Sequence, residues 1–406
     1  MHKTLWSHDF TIITLGTFIS AIGSTAMNFA LSLVVFDQTS STLLTGVFSA
    51  VSLIPTVIIP ILAAPFIDSG NRKRYIYVLD FMSGGFYLAF AYFLFIHDFS
   101  YVAYLLFSLL TSSIGTIYSL AYSSLYPDLI PKGFAQKGYS VSSLIYPSVT
   151  ALFTPIASLI YVYLGIAWIC VMEGILLIVA AIFESQIHIQ DRRKKSTFSF
   201  RSYRKNLIQG FWYLKKEKGI RSIYEYMAIT NASAEGINLV SMAMFQSSPI
   251  LSTTMYAFLT TADTIGRMIG GVLHYFIKIP TKKRYKVAVS VYTLYESFDM
   301  IWLFLPYPFM IVIRFIQGFL GINSLNIRES STKMYIPNDM RARVDALFQV
   351  LIAFITIIAR LFAGWIAQYI SYPFCAVLFA GMAFFVLLLC IVHNKKEILP
   401  IYNQNI

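Results

Sequence analysis

The stretch Phe66-Ile67-Asp68-Ser69-Gly70-Asn71-Arg72-Lys73-Arg74-Tyr75 closes a long apolar run, and Phe276-Ile277-Lys278-Ile279-Pro280-Thr281-Lys282-Lys283-Arg284-Tyr285 closes another 210 positions later. Each is a Phe-Ile exit from an apolar segment, then a short turn, then a basic cluster ending in tyrosine. A second correspondence has nearly the same offset: Ile130-Pro131 and Ile336-Pro337 lie 206 positions apart, each just after the fourth apolar run of its half. Two matches at equivalent places indicate a duplicated unit of six apolar segments, an internal repeat of the kind from which transporter folds are built.

Working outward, 57% of the 406 residues are hydrophobic and 12% charged, with a mean hydropathy of +0.67. A soluble domain carries about 25% charge, so this is a chain for the bilayer. Crossing the hydrocarbon takes about 20 apolar residues. The apolar runs predict spans near 11–36, 43–66, 76–96, 101–125, 138–163, 166–186, 222–245, 254–277, 286–305, 308–327, 344–370 and 373–393. The expected fold class is an all-α integral membrane protein with twelve transmembrane helices in two pseudo-symmetric six-helix bundles. Residues 1–186 form the first bundle, 187–219 a cytoplasmic linker and 220–406 the second bundle.

A net charge of +12 suggests nucleic acid in a soluble chain, but here the bases are sorted by side. One precedes the first span, alternate connections hold three, two, eleven, five and four, and the tail adds two; these are 28 of the 31 Lys and Arg. The opposite connections hold none. The positive-inside rule therefore places both termini in the cytoplasm of a multi-pass cell-membrane protein, with the lipid bilayer and not nucleic acid as its partner. No cleavable signal peptide is evident, because the first apolar run is long and lacks a small-residue cleavage pattern. The linker contains Asp191-Arg192-Arg193-Lys194-Lys195, after which Leu207, Ile208, Phe211, Trp212 and Leu214 recur beside Lys215, Lys216 and Lys218 as in an amphipathic helix on the membrane surface.

Cys170, Cys375 and Cys390 are odd in number and fall in predicted spans, which excludes a disulfide framework or a metal-ligand spacing. His2, His8, His97, His188, His274 and His393 are scattered and no nucleophile cluster emerges, so no enzyme, cofactor or metal is expected.

These features together resemble the major facilitator superfamily, and within it the macrolide-efflux-like drug:proton antiporters. The superfamily signature between the second and third helices, Gly-x-x-x-Asp-Arg-x-Gly-Arg-Arg/Lys, falls on Ala64, Asp68, Ser69, Asn71, Arg72 and Lys73; the acid and the last two bases are kept. Leu5-Trp6, Gly23-Ser24 and Pro127-Asp128-Leu129-Ile130-Pro131 also look like the efflux branch. The exporter motif of the fifth helix is represented by Thr150, Thr154, Pro155, Ser158 and Leu159. Where such antiporters carry an arginine in the fourth helix this chain has Ser112-Ser113-Ile114-Gly115, while the fourth helix of the second half has Arg314-Phe315-Ile316-Gln317-Gly318. The resemblance implies the major facilitator fold, proton-driven export of a hydrophobic or amphipathic small molecule by alternating access, and a cytoplasmic gate at Asp68, Arg72 and Lys73. A monomer is expected. Transport of an endogenous lipid, lipopeptide or metabolite, or a non-transporting sensor or immunity role, are the alternatives.

Each ionisable residue inside a span costs about 2.5–3.5 kcal/mol on insertion scales, so each requires a reason. The first half holds mainly Glu173 and Asp80, the second Glu235, Asp263, Arg267, Glu296, Asp299, Arg314 and Arg360. At about 1.5 Å per residue, Glu235, Asp299 and Arg314 reach one layer, and alternating pairing of Arg314 with the two acids would couple a proton to movement. Asp263 and Arg267, four apart, are a local ion pair or a gate, and Glu296 sits near the midplane. Asn28, Asn231 and Asn238 are candidates for the central cavity or for interhelical hydrogen bonds.

Overall fold

The computed structural model describes residues 4–131, 133–188, 200–276 and 279–403; His2, the basic run from Asp191 to Lys195, and Ile277 with Lys278 lie outside them. The described residues form fifteen α-helices and no strand: α1 (His8–Thr39), α2 (Thr42–Val51), α3 (Ile54–Ser69), α4 (Arg72–Ile96), α5 (Tyr101–Leu129), α6 (Ala135–Leu164), α7 (Ile166–Ser185), α8 (Phe200–Lys216), α9 (Lys218–Ser247), α10 (Thr253–Phe276), α11 (Arg284–Ile301), α12 (Tyr307–Tyr335), α13 (Asn338–Ile366), α14 (Tyr372–Val386) and α15 (Lys395–Tyr402). Among the described residues nine segments are long and apolar enough to cross a membrane: α1, the run Thr42–Pro60 through α2 into α3, α4 to α7, α12, α13, and α14 with its continuation to Val392. The other long helices, α9, α10 and α11, are those whose interiors carry Glu235, Asp263 with Arg267, and Glu296 with Asp299. Their polarity, rather than their length, sets them apart, and with them the expected twelve spans are present.

Local chemistry explains the breaks. The second span is interrupted after α2, and Pro55 occupies the first turn of α3, where its missing N–H removes no helical hydrogen bond. Asn71 of the signature loop caps α4 by accepting from the Arg74 N–H at 3.1 Å. Gly165 takes φ +83° between α6 and α7, a conformation a side chain would strain.

Chain contacts define two units, one of Met1–Gln38 with Val51–Ser199 and the other of Thr39–Ala50 with Phe200–Ile406. The second span is thus divided at Val51, and its first half packs in the second unit. Thr42 donates to the Gly364 carbonyl at 2.9 Å, and a Cβ on Gly46 would lie 2.6 Å from the Arg360 carbonyl oxygen, so only small residues permit that approach. The first unit has a core around Phe10, Ile13, Ile76 and Leu125; one core of the second gathers Ile220, Tyr226, Tyr292 and Tyr402.

The segment read as an amphipathic helix, Leu207 to Leu214, lies within α8. It buries Leu214, leaves Ile208, Phe211 and Trp212 exposed, and sets Lys215 over the Trp212 ring at 4.9 Å, an apolar face with a charged edge. The tail forms a helix that the sequence reading did not include: α15 buries Ile398, Ile401 and Tyr402, and the Tyr402 hydroxyl meets that of Tyr292 at 2.9 Å.

Candidate functional site

Within the second unit, α10 and α12 approach closely because their facing positions lack side chains. A Cβ on Gly266 would lie 2.1 Å from the Phe315 carbonyl oxygen, and one on Gly318 would lie 2.0 Å from that of Asp263. This small-residue contact brings the Asp263 and Arg314 side chains to one level. Arg267 Nε donates to Asp263 Oδ2 at 2.7 Å, and Arg314 Nη2 stands 3.9 Å from Asp263 Oδ1. Arg314 Nη1 donates to Gln317 Oε1 at 3.4 Å, Gln317 Nε2 donates to Asp299 Oδ1 at 2.6 Å, and the guanidinium lies 5.3 Å from the centroid of the Trp302 ring. Gln317 therefore relays between the arginine and the second aspartate. It was quoted in the sequence only as part of the run after Arg314.

Asp263, Arg267, Asp299, Trp302 and Arg314 line a cavity of about 260 Å³, shared with Asn238 of α9, Tyr256 of α10 and Tyr295 of α11. Two arginines and two aspartates face it, so its fixed charge is balanced. Asp263 is paired with both arginines and Asp299 is held by Gln317, so the charges are kept in one network away from water.

The other expected residues are placed separately. Glu235, expected opposite Arg314, is instead held by Arg360 of α13, whose Nη2 and Nε reach Glu235 Oε2 at 2.6 and 3.2 Å. The same guanidinium donates through Nη1 to the Ser49 carbonyl at 2.7 Å, tying α9, α13 and α2 together. Depth along a helix put Glu235 at the right level, but which neighbour it faces depends on helix rotation and packing. Glu296, almost fully buried, accepts from Tyr226 at 3.1 Å and Thr230 at 3.2 Å and so links α11 to α9. Asn231 donates to the Met227 carbonyl one turn back at 2.7 Å; Asn28, Asn231 and Asn238 are all exposed.

In the first unit, Arg72 is buried at the start of α4. It reaches Asp128 Oδ2 of α5 at 3.0 Å and donates to the Ser124 carbonyl at 2.6 Å, so a base of the signature loop grips the end of a neighbouring helix. Lys73 is half-buried, and the side chain of Asp68 falls outside the described residues.

Three buried acids line one face of α1, where Gly16, Ser20 and Gly23 recur at near-helical spacing. Glu184 packs on Gly16 and accepts from the Tyr118 hydroxyl at 2.8 Å, Asp80 faces the Ser20 hydroxyl at 3.4 Å, and Glu173 lies against Gly23. Glu173 Oε2 and Glu184 Oε2 have no hydrogen-bond partner. Glu184 was missed in the sequence because it sits at the very end of a predicted span, where a carboxylate reads as a solvated helix terminus.

No known family profile matches the chain, and neither does any curated protein sequence. Solved structures do. A bacterial homologue of the iron transporter ferroportin, in an inward-facing state, aligns with a TM-score of 0.73 and 12% identity over 96% of this chain and 98% of that one. A POT family transporter in complex with a thioalcohol-conjugated peptide aligns with a TM-score of 0.71 and 9% identity over 96% of each chain. The nucleoside transporter NupG aligns with a TM-score of 0.70 and 14% identity over 95% of this chain and 99% of that one. At such identities the likeness establishes the fold: a multi-pass, all-helical membrane protein with the architecture of the major facilitator transporters.

Proposed function

We propose that the protein is a secondary active transporter that exports hydrophobic or amphipathic small molecules, such as macrolide-like drugs, in exchange for protons by alternating access, from a cell membrane with both termini in the cytoplasm. It acts as a monomer and catalyses no reaction. The observation that carries the reading is Arg314 set between Asp263 and, through Gln317, Asp299 beside an internal cavity. A proton taken by either aspartate removes one of the charges that neutralise the guanidinium, which then strengthens its bond to the other; the proton and the position of Arg314 are coupled by charge balance. Pockets for drug-sized ligands run from about 300 to 1,000 Å³. A cavity of about 260 Å³ lined by four ionic side chains therefore suits the coupling step better than the drug itself. Arg72, with Lys73 and Asp68, serves as the cytoplasmic gate in this reading, through the hold of Arg72 on Asp128.

A second reading, transport of a polar endogenous metabolite, is favoured by the same lining, because paired arginines and aspartates suit a small zwitterion. Everted vesicles with an imposed pH gradient, offered labelled amphipathic drugs, lipids and zwitterionic metabolites, separate the two. Gradient-driven uptake of amphipathic compounds is expected. Uptake of metabolites alone supports the second reading, and no gradient-driven uptake of any class rejects proton-coupled transport.

A further inference from the structure

We propose that His8, Asp9 and His188 form a binding site for a divalent transition-metal ion, with zinc the best fit, joining the first turn of α1 to the chain that leaves α7. The two histidines are 180 positions apart and meet only in the fold. His8 Nδ1 lies 3.2 Å from Asp9 Oδ1, His188 Nδ1 lies 3.7 Å from that oxygen, and the two ring nitrogens are 3.3 Å apart. In a tetrahedral zinc complex with bonds of about 2.0–2.1 Å, neighbouring donor atoms stand roughly 3.3–3.4 Å from one another. The triangle of donors is close to one face of that tetrahedron.

Hydrogen bonding alone satisfies the trio poorly. A neutral imidazole nitrogen presents either one hydrogen or one lone pair, so the two Nδ1 atoms cannot serve all three close approaches at once. A metal ion accepts a lone pair from each. Asp9 is already oriented, because the backbone N–H of His188 donates to its Oδ1 at 2.9 Å, and the imidazole rings sit 4.8 Å apart at 52°. Two imidazoles with one carboxylate select zinc, cobalt, nickel or copper over magnesium or calcium, which prefer all-oxygen sets. The histidine side chains are 59% and 78% exposed, leaving a route of entry and a fourth position for water. Among the described residues this is the one group of three histidine, cysteine or acidic side chains whose donor atoms converge in this way.

The proposal is independent of the transported substrate, and so is its test. The full-length purified protein is titrated with cobalt(II) and then with zinc. One saturable site per chain is expected, with the intense visible absorption of tetrahedral cobalt(II), bleached by one equivalent of zinc. His8→Ala and His188→Ala should each weaken binding by at least about 10- to 100-fold, the range known for losing even a supporting partner of a ligand. His393→Ala should leave binding unchanged. Replacing both site histidines with cysteine should restore tetrahedral binding, which separates a lost ligand from a misfolded chain. Absence of a saturable site in the unaltered protein, an unchanged cobalt spectrum in the double alanine variant, or failure of the cysteine pair to bind would each overturn the proposal.

Discussion

The two units bury acids in opposite ways. In the first, Asp80, Glu173 and Glu184 rest on the small residues of α1 and meet hydroxyls at most, with no ion pair to any of them among the described residues. In the second, Glu235 is paired with Arg360, Asp263 with Arg267 and Arg314, and Asp299 is reached by Arg314 through Gln317. An unpaired carboxylate in a low-dielectric interior is far more costly than a neutral carboxyl, whereas a paired one keeps its charge. The two regions thus differ in whether their acids lie within reach of a cation. In the proposed function the cation that changes partner is Arg314, and it lies in the second unit.

Changing charge on each side breaks or sharpens that contrast. The largest effect is expected from Arg314→Met, which leaves Asp263 to Arg267 alone and Asp299 to Gln317 alone: breaking a buried charge network this way costs up to about 3–5 kcal/mol, read as a fall in unfolding free energy in detergent. Combining it with Asp299→Asn should recover part of the loss, and the absence of recovery would show that the two residues are not coupled. Gly318→Ala places a methyl where the Asp263 backbone now lies and should cost about 1–3 kcal/mol by forcing α10 from α12, measured in the same unfolding experiment. Arg360→Met removes a partly exposed pair and should cost about 1 kcal/mol. The smallest effect is expected at Glu173→Gln, a substitution of nearly equal volume that breaks no ion pair among the described residues, and it should cost less than Arg360→Met. A loss there as large as that of Arg314→Met would mean that the first unit holds a charged acid, and the contrast would fail.

Much of this was legible in the sequence. Apolar run length marked the spans, because the bilayer imposes a minimum length, but no run length revealed that residues 39–50 pack with the second unit. That a helix covers Leu207 to Leu214 followed from their near-helical spacing. Partner choice was less legible. Asp263 and Arg267 were readable because four residues bring them to one face, but Glu235 found Arg360 instead of Arg314, since which neighbour a helix face meets is set by packing that no periodicity reveals. The meeting of His8 with His188 was invisible for the same reason: spacing rules detect local ligands, and these two converge only where the start of α1 meets the chain leaving α7.

The central claim is that Asp299, Gln317 and Arg314 couple a proton to transport. The most direct test reconstitutes Asp299→Asn in proteoliposomes with a compound the unaltered protein carries, and compares gradient-driven accumulation with exchange of labelled for unlabelled compound at equal pH. The account predicts that exchange persists while accumulation driven by the pH gradient is lost. Accumulation undiminished by the substitution would contradict it.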